Sequence, residues 1–265
     1  MLTQQACQTL ADGLYRATYE REYIAPITET HPECDLSDAY RIASAVNKRK
    51  LSAGLTVKGH KIGLTSQVMR DLSGSNEPDF GTLFDDMFIP EGSRVSRSGF
   101  NRGVAVEIEI AFVLKRPLRG PRVTAVDVIR ATDFVLPAIE IGDFRYTHYG
   151  SGPLVVDSVA DAAWCGGIIV GGTPRGLDQI DVRNINGSIA INGDIRAEGV
   201  SSAVMGNPAA SVAWLANKLA EFDVELEAGH VVMPGSFTGL VRVPANSEVV
   251  ASFDEFGDVS FFMSE

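Results

Sequence analysis

The apolar and polar positions of this chain change rhythm once, near residue 56. Before that point the period is helical. Residues 3–22 carry Ala6, Leu10, Leu14, Tyr15 and Ala17 at helical spacing. A Pro-containing connection from Ala25 to Cys34 follows, and then a second helix predicted from Asp38 to Leu51, with Ser37 as its N-cap and Gly54 as its end. From Thr56 onward short apolar runs alternate with Gly, Pro and Asn clusters. The predicted strands are Val57–Leu64, Val104–Leu114, Phe134–Ile141, Gly166–Val170, Ile185–Ile191, Val231–Met233, Val249–Phe253 and Val259–Phe262. Asn192-Gly193 marks a tight hairpin. Two later helices stand out, Thr124 to Ala131 and Pro208 to Ala220. Strands and helices do not alternate, so the pattern predicts an α+β fold with a mixed sheet, rolled or sandwiched. Its organisation reads as an N-terminal helical segment, 1–55, and a mixed-sheet domain, 56–265.

Composition narrows the partners. With 265 residues, 45% hydrophobic and 22% charged, the chain is long enough to bury a core without disulfides. Twenty-three Lys and Arg face 34 Asp and Glu, a net charge of −11, which repels phosphate backbones and anionic membranes alike. No nucleic-acid or membrane partner is expected. Cys7, Cys34 and Cys165 are odd in number and form no CxxC, as in a reducing cytoplasm. The start, Met1-Leu2-Thr3-Gln4-Gln5, carries no basic and apolar leader. A soluble cytoplasmic protein is the expectation.

Candidate chemistry lies in the stretch 105–114. As a strand it sends Glu107, Glu109, Ala111 and Val113 to one face and Val106, Ile108, Ile110, Phe112 and Leu114 to the other. The two carboxylates then stand about 6.5–7 Å apart on one face. A solvent-facing edge strand would carry such a pair without consequence, but Ala111 and Val113 on the same face argue against a wet surface. Glu140 sits inside another apolar run, Phe134–Ile141. Buried carboxylates are paired, protonated or bound to metal. Neither strand offers a Lys or Arg, so two readings stand: a hard cation such as Mg²⁺ or Mn²⁺, or like charges with raised pKa values. Lys61 lies in an apolar strand end between Gly59 and Gly63, whose missing side chains would let a substrate approach; the plainer reading is a surface lysine. Glu77-Pro-Asp79-Phe-Gly81 reads as a tight turn that presents a carboxylate. His60 faces away from Lys61 and reads as structural, and His31, His148 and His230 carry no motif.

Five segments in order resemble the 2-keto-4-pentenoate hydratase family of the fumarylacetoacetate hydrolase superfamily: Lys58–Ser66, Glu77–Met87, Val106–Leu114, Val135–Glu140 and Pro234–Phe237. The pattern looks most like the 2-oxo-hept-4-ene-1,7-dioate hydratases, with the 4-oxalocrotonate decarboxylases next. The resemblance implies a mixed β-roll and a divalent-metal lyase, using Mg²⁺ or Mn²⁺, that adds water to a 2-hydroxydienoate or 2-oxo-alkenoate in aromatic catabolism. A 2-oxo acid decarboxylase, a C–C hydrolase and a non-catalytic partner subunit are the alternatives. Position by position, Glu107, Glu109 and Glu140 match metal ligands, Lys61 and Asp79 an acid/base pair, Ser236 a substrate-carboxylate contact, and Leu64 the substrate-binding set. It also implies a pentameric or decameric homo-oligomer, with a pathway decarboxylase or aldolase as a candidate partner. Three positions depart from the family pattern: Val104-Ala105 replaces Pro-Arg, Ala162 replaces Asn and Asn207 replaces His.

Overall fold

The computed structural model describes residues 1–101, 104–150 and 154–265. Among the described residues seven helices run α1 Gln4–Tyr19, α2 Ile27–Thr30, α3 Leu36–Ser52, α4 Gln67–Ser73, α5 Ala125–Ala131, α6 Leu154–Ala160 and α7 Pro208–Leu219. Twelve strands accompany them: β1 Val57–Gly63, β2 Asp79–Phe84, β3 Arg94–Ser96, β4 Ala105–Leu114, β5 Thr132–Gly142, β6 Cys165–Val170, β7 Asn186–Ile191, β8 Asp194–Val200, β9 Val231–Met233, β10 Val241–Arg242, β11 Ser247–Phe253 and β12 Gly257–Ser264.

The strands make two mixed sheets. One follows the order β2-β1-β9-β4-β5-β6, with β10 also pairing β4; the other follows β3-β12-β11-β7-β8. The expected mixed β-roll is what the chain forms. The even face of β4 (Val106, Ile108, Ile110, Phe112) is buried in a core shared with Ile189, Val249, Ala251, Val259 and Phe261 of the second sheet and with α7. That leaves the odd face, with Glu107 and Glu109, turned away from the main core.

A second apolar cluster lies under the N-terminal helices. Leu14 of α1 and Ile42 of α3 share it with Tyr146 and with Val155, Val156 and Val159 of α6. Helices α1 and α3 therefore pack as one unit with Tyr146 and α6.

Three local expectations change. Helix α3 starts earlier because Asp35, not Ser37, is the cap: its carboxylate accepts from Asp38 N at 2.9 Å. Asp79 opens a strand and not a turn. Pro78 ends the turn, and Asp79–Phe84 pairs antiparallel with β1. Gly81 looked like a turn residue, yet it is required because a Cβ there would strike the carbonyl of Ala162. Helix α2, a single turn, is too short for the periodic signal to register.

His60 is buried on the face opposite Lys61, its ring centroid 6.0 Å from that of His230 and 6.3 Å from that of Phe80. The structural reading of this histidine holds. Burial first, and His230 second, push its pKa down to about 3. The folded chain keeps this ring neutral while the unfolded chain protonates it near 6.5, so its stability contribution is lost as pH falls from about 6.5 towards 3. The destabilisation caused by His60→Leu should accordingly shrink by about 1–2 kcal/mol between pH 7 and pH 5.5, measured by urea unfolding. A penalty that does not change with pH would show that His60 titrates alike in the folded and unfolded chain.

Candidate active site

Register assembles the site. In the β4–β5 pairing Glu107 stands directly opposite Glu140, and Glu109 opposite Ala138. Strand β9 joins β1 to β4, bringing Lys61 to the same region; in the β1–β2 pairing Lys61 stands opposite Gly81 and Gly63 opposite Asp79. Lys61 is 5% exposed, Glu140 2%, Glu109 1% and Asp79 1%, and Glu107 is half-buried. Residues from four strands and nearly 80 positions of sequence thus meet where water hardly reaches.

The polar contacts are specific. Lys61 Nζ lies 3.0 Å from Glu140 Oε1 and donates to the carbonyl of Ala163 at 2.8 Å. The expectation that the glutamates lack a cationic partner is therefore corrected; the partner comes from a strand outside the β4–β5 pair. Glu109 Oε2 accepts from Gly235 N at 2.7 Å. Ser158 Oγ donates to Asp79 Oδ2 at 2.8 Å. Glu140 Oε2 and Asp79 Oδ1 are buried without a hydrogen-bond partner.

The glycines beside Lys61 have a different purpose from the one expected. A Cβ on Gly63 would collide with Asp79 Oδ1, and one on Gly59 with the carbonyl of Val231. They admit the neighbouring carboxylate and strand β9, not a substrate.

Charge balance sets the protonation. Desolvation raises Glu107 and Glu109, and the Glu140 charge raises both further. Asp79 is raised chiefly by burial, with Lys61 opposing. For Lys61 burial pulls downward, but Glu140 first and Asp79 next outweigh it, so the ammonium is held above the usual lysine value. Lys61 is a charged group here.

The donor set suits a hard cation. It offers carboxylate oxygens only, it holds an orphaned Glu140 oxygen, and two of its glutamates are under electrostatic pressure to shed negative charge. Among the described residues no three acidic, His or Cys side chains are drawn together closely enough to enclose an ion by themselves. One Glu140 oxygen is taken by Lys61, and one Glu109 oxygen by Gly235.

The remaining sequence candidates lie nearby. Ser236 follows Gly235, and its hydroxyl is engaged with the backbone of Thr238 at 3.1–3.2 Å. Leu64 follows β1 with φ +56 and is half-buried. Of the departures, Asn207 caps α7 by accepting from Ala209 N at 3.0 Å, and Ala105 is a buried residue of β4.

Sequence reasoning missed the turn 162–164. Ala162, Ala163 and Trp164 all have positive φ, between 51° and 57°, with no glycine among them. Each such residue costs about 1–2 kcal/mol. The turn aims the Ala163 carbonyl at Lys61 and is fixed by Arg145, whose guanidinium holds Asp161 and the Cys165 carbonyl.

Known proteins carry the same arrangement of chain. Residues 50–261 match the family model described as fumarylacetoacetate hydrolase C-terminal. The chain belongs to the fumarylacetoacetate hydrolase family. It is 41% identical to the 2-oxo-hept-4-ene-1,7-dioate hydratase of Escherichia coli over 255 residues, 95% of each chain. Identity to the 2-hydroxyhexa-2,4-dienoate hydratase of Comamonas testosteroni is 36%, over the whole of both. Among solved structures, the 4-oxalocrotonate decarboxylase from Pseudomonas putida G7, complexed with magnesium and adipate, superposes with a TM-score of 0.94 at 33% identity, covering 99% of each chain.

Because Lys61 is the cation that compensates Glu140, Lys61→Met should lower stability by about 3 kcal/mol in EDTA, and Lys61→Met combined with Glu140→Gln should recover most of it. Additive losses in urea unfolding would show that the two side chains do not sense each other.

Proposed function

We propose that this family member is a divalent-metal-dependent hydratase, a carbon–oxygen lyase that adds water to a 2-hydroxydienoate or 2-oxo-alkenoate in aromatic-compound catabolism. The observation that carries the reading is the meeting of Glu107, Glu109 and Glu140 with a charged lysine and a raised aspartic acid in one desiccated face. The relatives, hydratases by name at 41% and 36% identity, support the reaction class.

Glu107, Glu109 and Glu140 would hold the ion, Mg²⁺ or Mn²⁺. When bound, it supplies Lewis-acid stabilisation for negative charge developing on a 2-oxo acid. Lys61, already protonated, is suited to deliver a proton to a dienol carbon, and its ammonium offsets enolate charge. Asp79, with its pKa raised by burial and one oxygen free, is suited to take the proton from the attacking water. Ser158 orients Asp79, and the Ala163 carbonyl orients Lys61. Ser236 and Leu64, flanking the same region, would contact the substrate, Ser236 at its carboxylate.

A decarboxylase is the second reading, favoured by the superposition on 4-oxalocrotonate decarboxylase. Loss of CO₂ uses the same enolate stabilisation, so product mass after incubation with 2-hydroxydienoates distinguishes gain of water from loss of CO₂. No helix among the described residues is long and apolar enough to cross a membrane. The enzyme would work in the cytoplasm as a homo-oligomer, a pentamer or decamer, which light scattering measures.

Glu109→Gln should abolish turnover together with the thermal stabilisation conferred by Mg²⁺, and EDTA should silence the wild type until Mn²⁺ is added. A Glu109→Gln variant that binds Mg²⁺ with wild-type affinity by calorimetry would overturn the ligand assignment.

A further inference from the structure

Apart from the carboxylates, a cavity of about 30 Å³ lies between α1, α3, β2 and the turn that follows α6. Asn47, Lys50, Thr82, Arg145 and Asp161 are in its wall. A space of that size admits one or two water-sized occupants.

Lys50 is the anomaly. It is 6% exposed, and its ammonium finds the ring faces of Phe84 at 4.9 Å and Tyr19 at 5.8 Å, but no carboxylate and no hydrogen-bond acceptor among the described residues. Ring faces attract a cation without cancelling its charge. Arg145 is engaged with the Asp161 carboxylate and with the Asp161 and Cys165 carbonyls. The wall carries Lys50, Arg145 and the Asp161 carboxylate that Arg145 holds; Asp86 and Asp143 add negative charge nearby, but none of these carboxylates lies within ion-pair distance of Lys50 Nζ, where burial makes an unpaired charge costly. Thr82 Oγ1 accepts from Asn47 Nδ2 at 2.9 Å, which leaves its own O–H without an acceptor among the described residues. Burial first, and Arg145 second, pull Lys50 below the ordinary lysine value, with Asp86 and Asp161 opposing them.

We propose that this cavity is a binding site for a small monovalent anion of halide size, held by Lys50 Nζ and the Thr82 hydroxyl. The site joins α3 to β2 and to the segment 161–163. Those pieces carry Asp79 and the carbonyl that holds Lys61, so an occupied cavity stiffens the frame of the acid/base pair without touching substrate.

The test is thermal unfolding of the full chain, in EDTA at fixed pH and equal ionic strength, in sodium chloride, sodium bromide or sodium gluconate. Both halides should raise Tm saturably over gluconate. Lys50→Met should lose that increment, and Thr82→Val, which keeps the volume, should weaken apparent bromide affinity about tenfold. Crystals soaked in bromide should give an anomalous peak within hydrogen-bond distance of Lys50 Nζ. Equal Tm in halide and gluconate, a halide increment that survives Lys50→Met, or a cavity holding only water would overturn the proposal. Should Lys50→Met fail to fold, unchanged bromide affinity in Thr82→Val overturns it equally.

Discussion

One ammonium stands among four carboxylates, and the remainder of the site is arranged around that imbalance. Lys61 compensates Glu140 directly. Glu107, Glu109 and Asp79 are left to be neutralised by protons, by neutral donors or by a cation. The neutral donors are visible: the Gly235 amide on Glu109 and the Ser158 hydroxyl on Asp79. They relieve part of the repulsion but leave one oxygen each on Glu140 and Asp79 with nothing to bind. A protein does not gain stability from such a cluster. Its persistence in a dry face is the mark of a site kept for chemistry, and it explains why the surrounding strands carry glycine where a carboxylate must come close.

The segment 162–164 belongs to the same logic. Three consecutive left-handed residues without glycine are tolerated because the buried Arg145–Asp161 pair over-determines their conformation. The outcome is a carbonyl placed against Lys61 that no regular strand could provide. Strain at the turn and charge at the lysine are coupled parts of one arrangement.

How much of this was legible in the sequence depended on whether the information was local. The two faces of β4 could be read because alternation at period two is a property of ten adjacent residues. Glu140 was visible as a carboxylate in an apolar run, and Lys61 as a cation between glycines. That these two would pair could not be read, since they lie 79 positions apart on strands joined only through β9 and β4. Asp79 was placed in a turn because Gly81 is a breaker by propensity, while the tertiary approach of the Ala162 carbonyl is the actual reason for that glycine. Ala162 registered only as a departure from the family pattern and Ala163 not at all, because their contribution is made by backbone atoms. The family resemblance supplied what local physics could not, the grouping of five distant segments into one site.

Strand β9 has a consequence for the order of assembly. It is formed by residues 231–233 yet lies in the middle of the first sheet, between β1 and β4, which precede it by more than a hundred residues. Until that late segment has left the ribosome, β1 and β4 cannot be bridged, and the facing edges of both stay open. The closing contacts are distant in sequence, Gly59 to Val231 and Phe112 to Val232, a topology that folds slowly and keeps partly built sheets vulnerable to pairing with other chains. The catalytic frame is therefore among the last things the growing polypeptide completes.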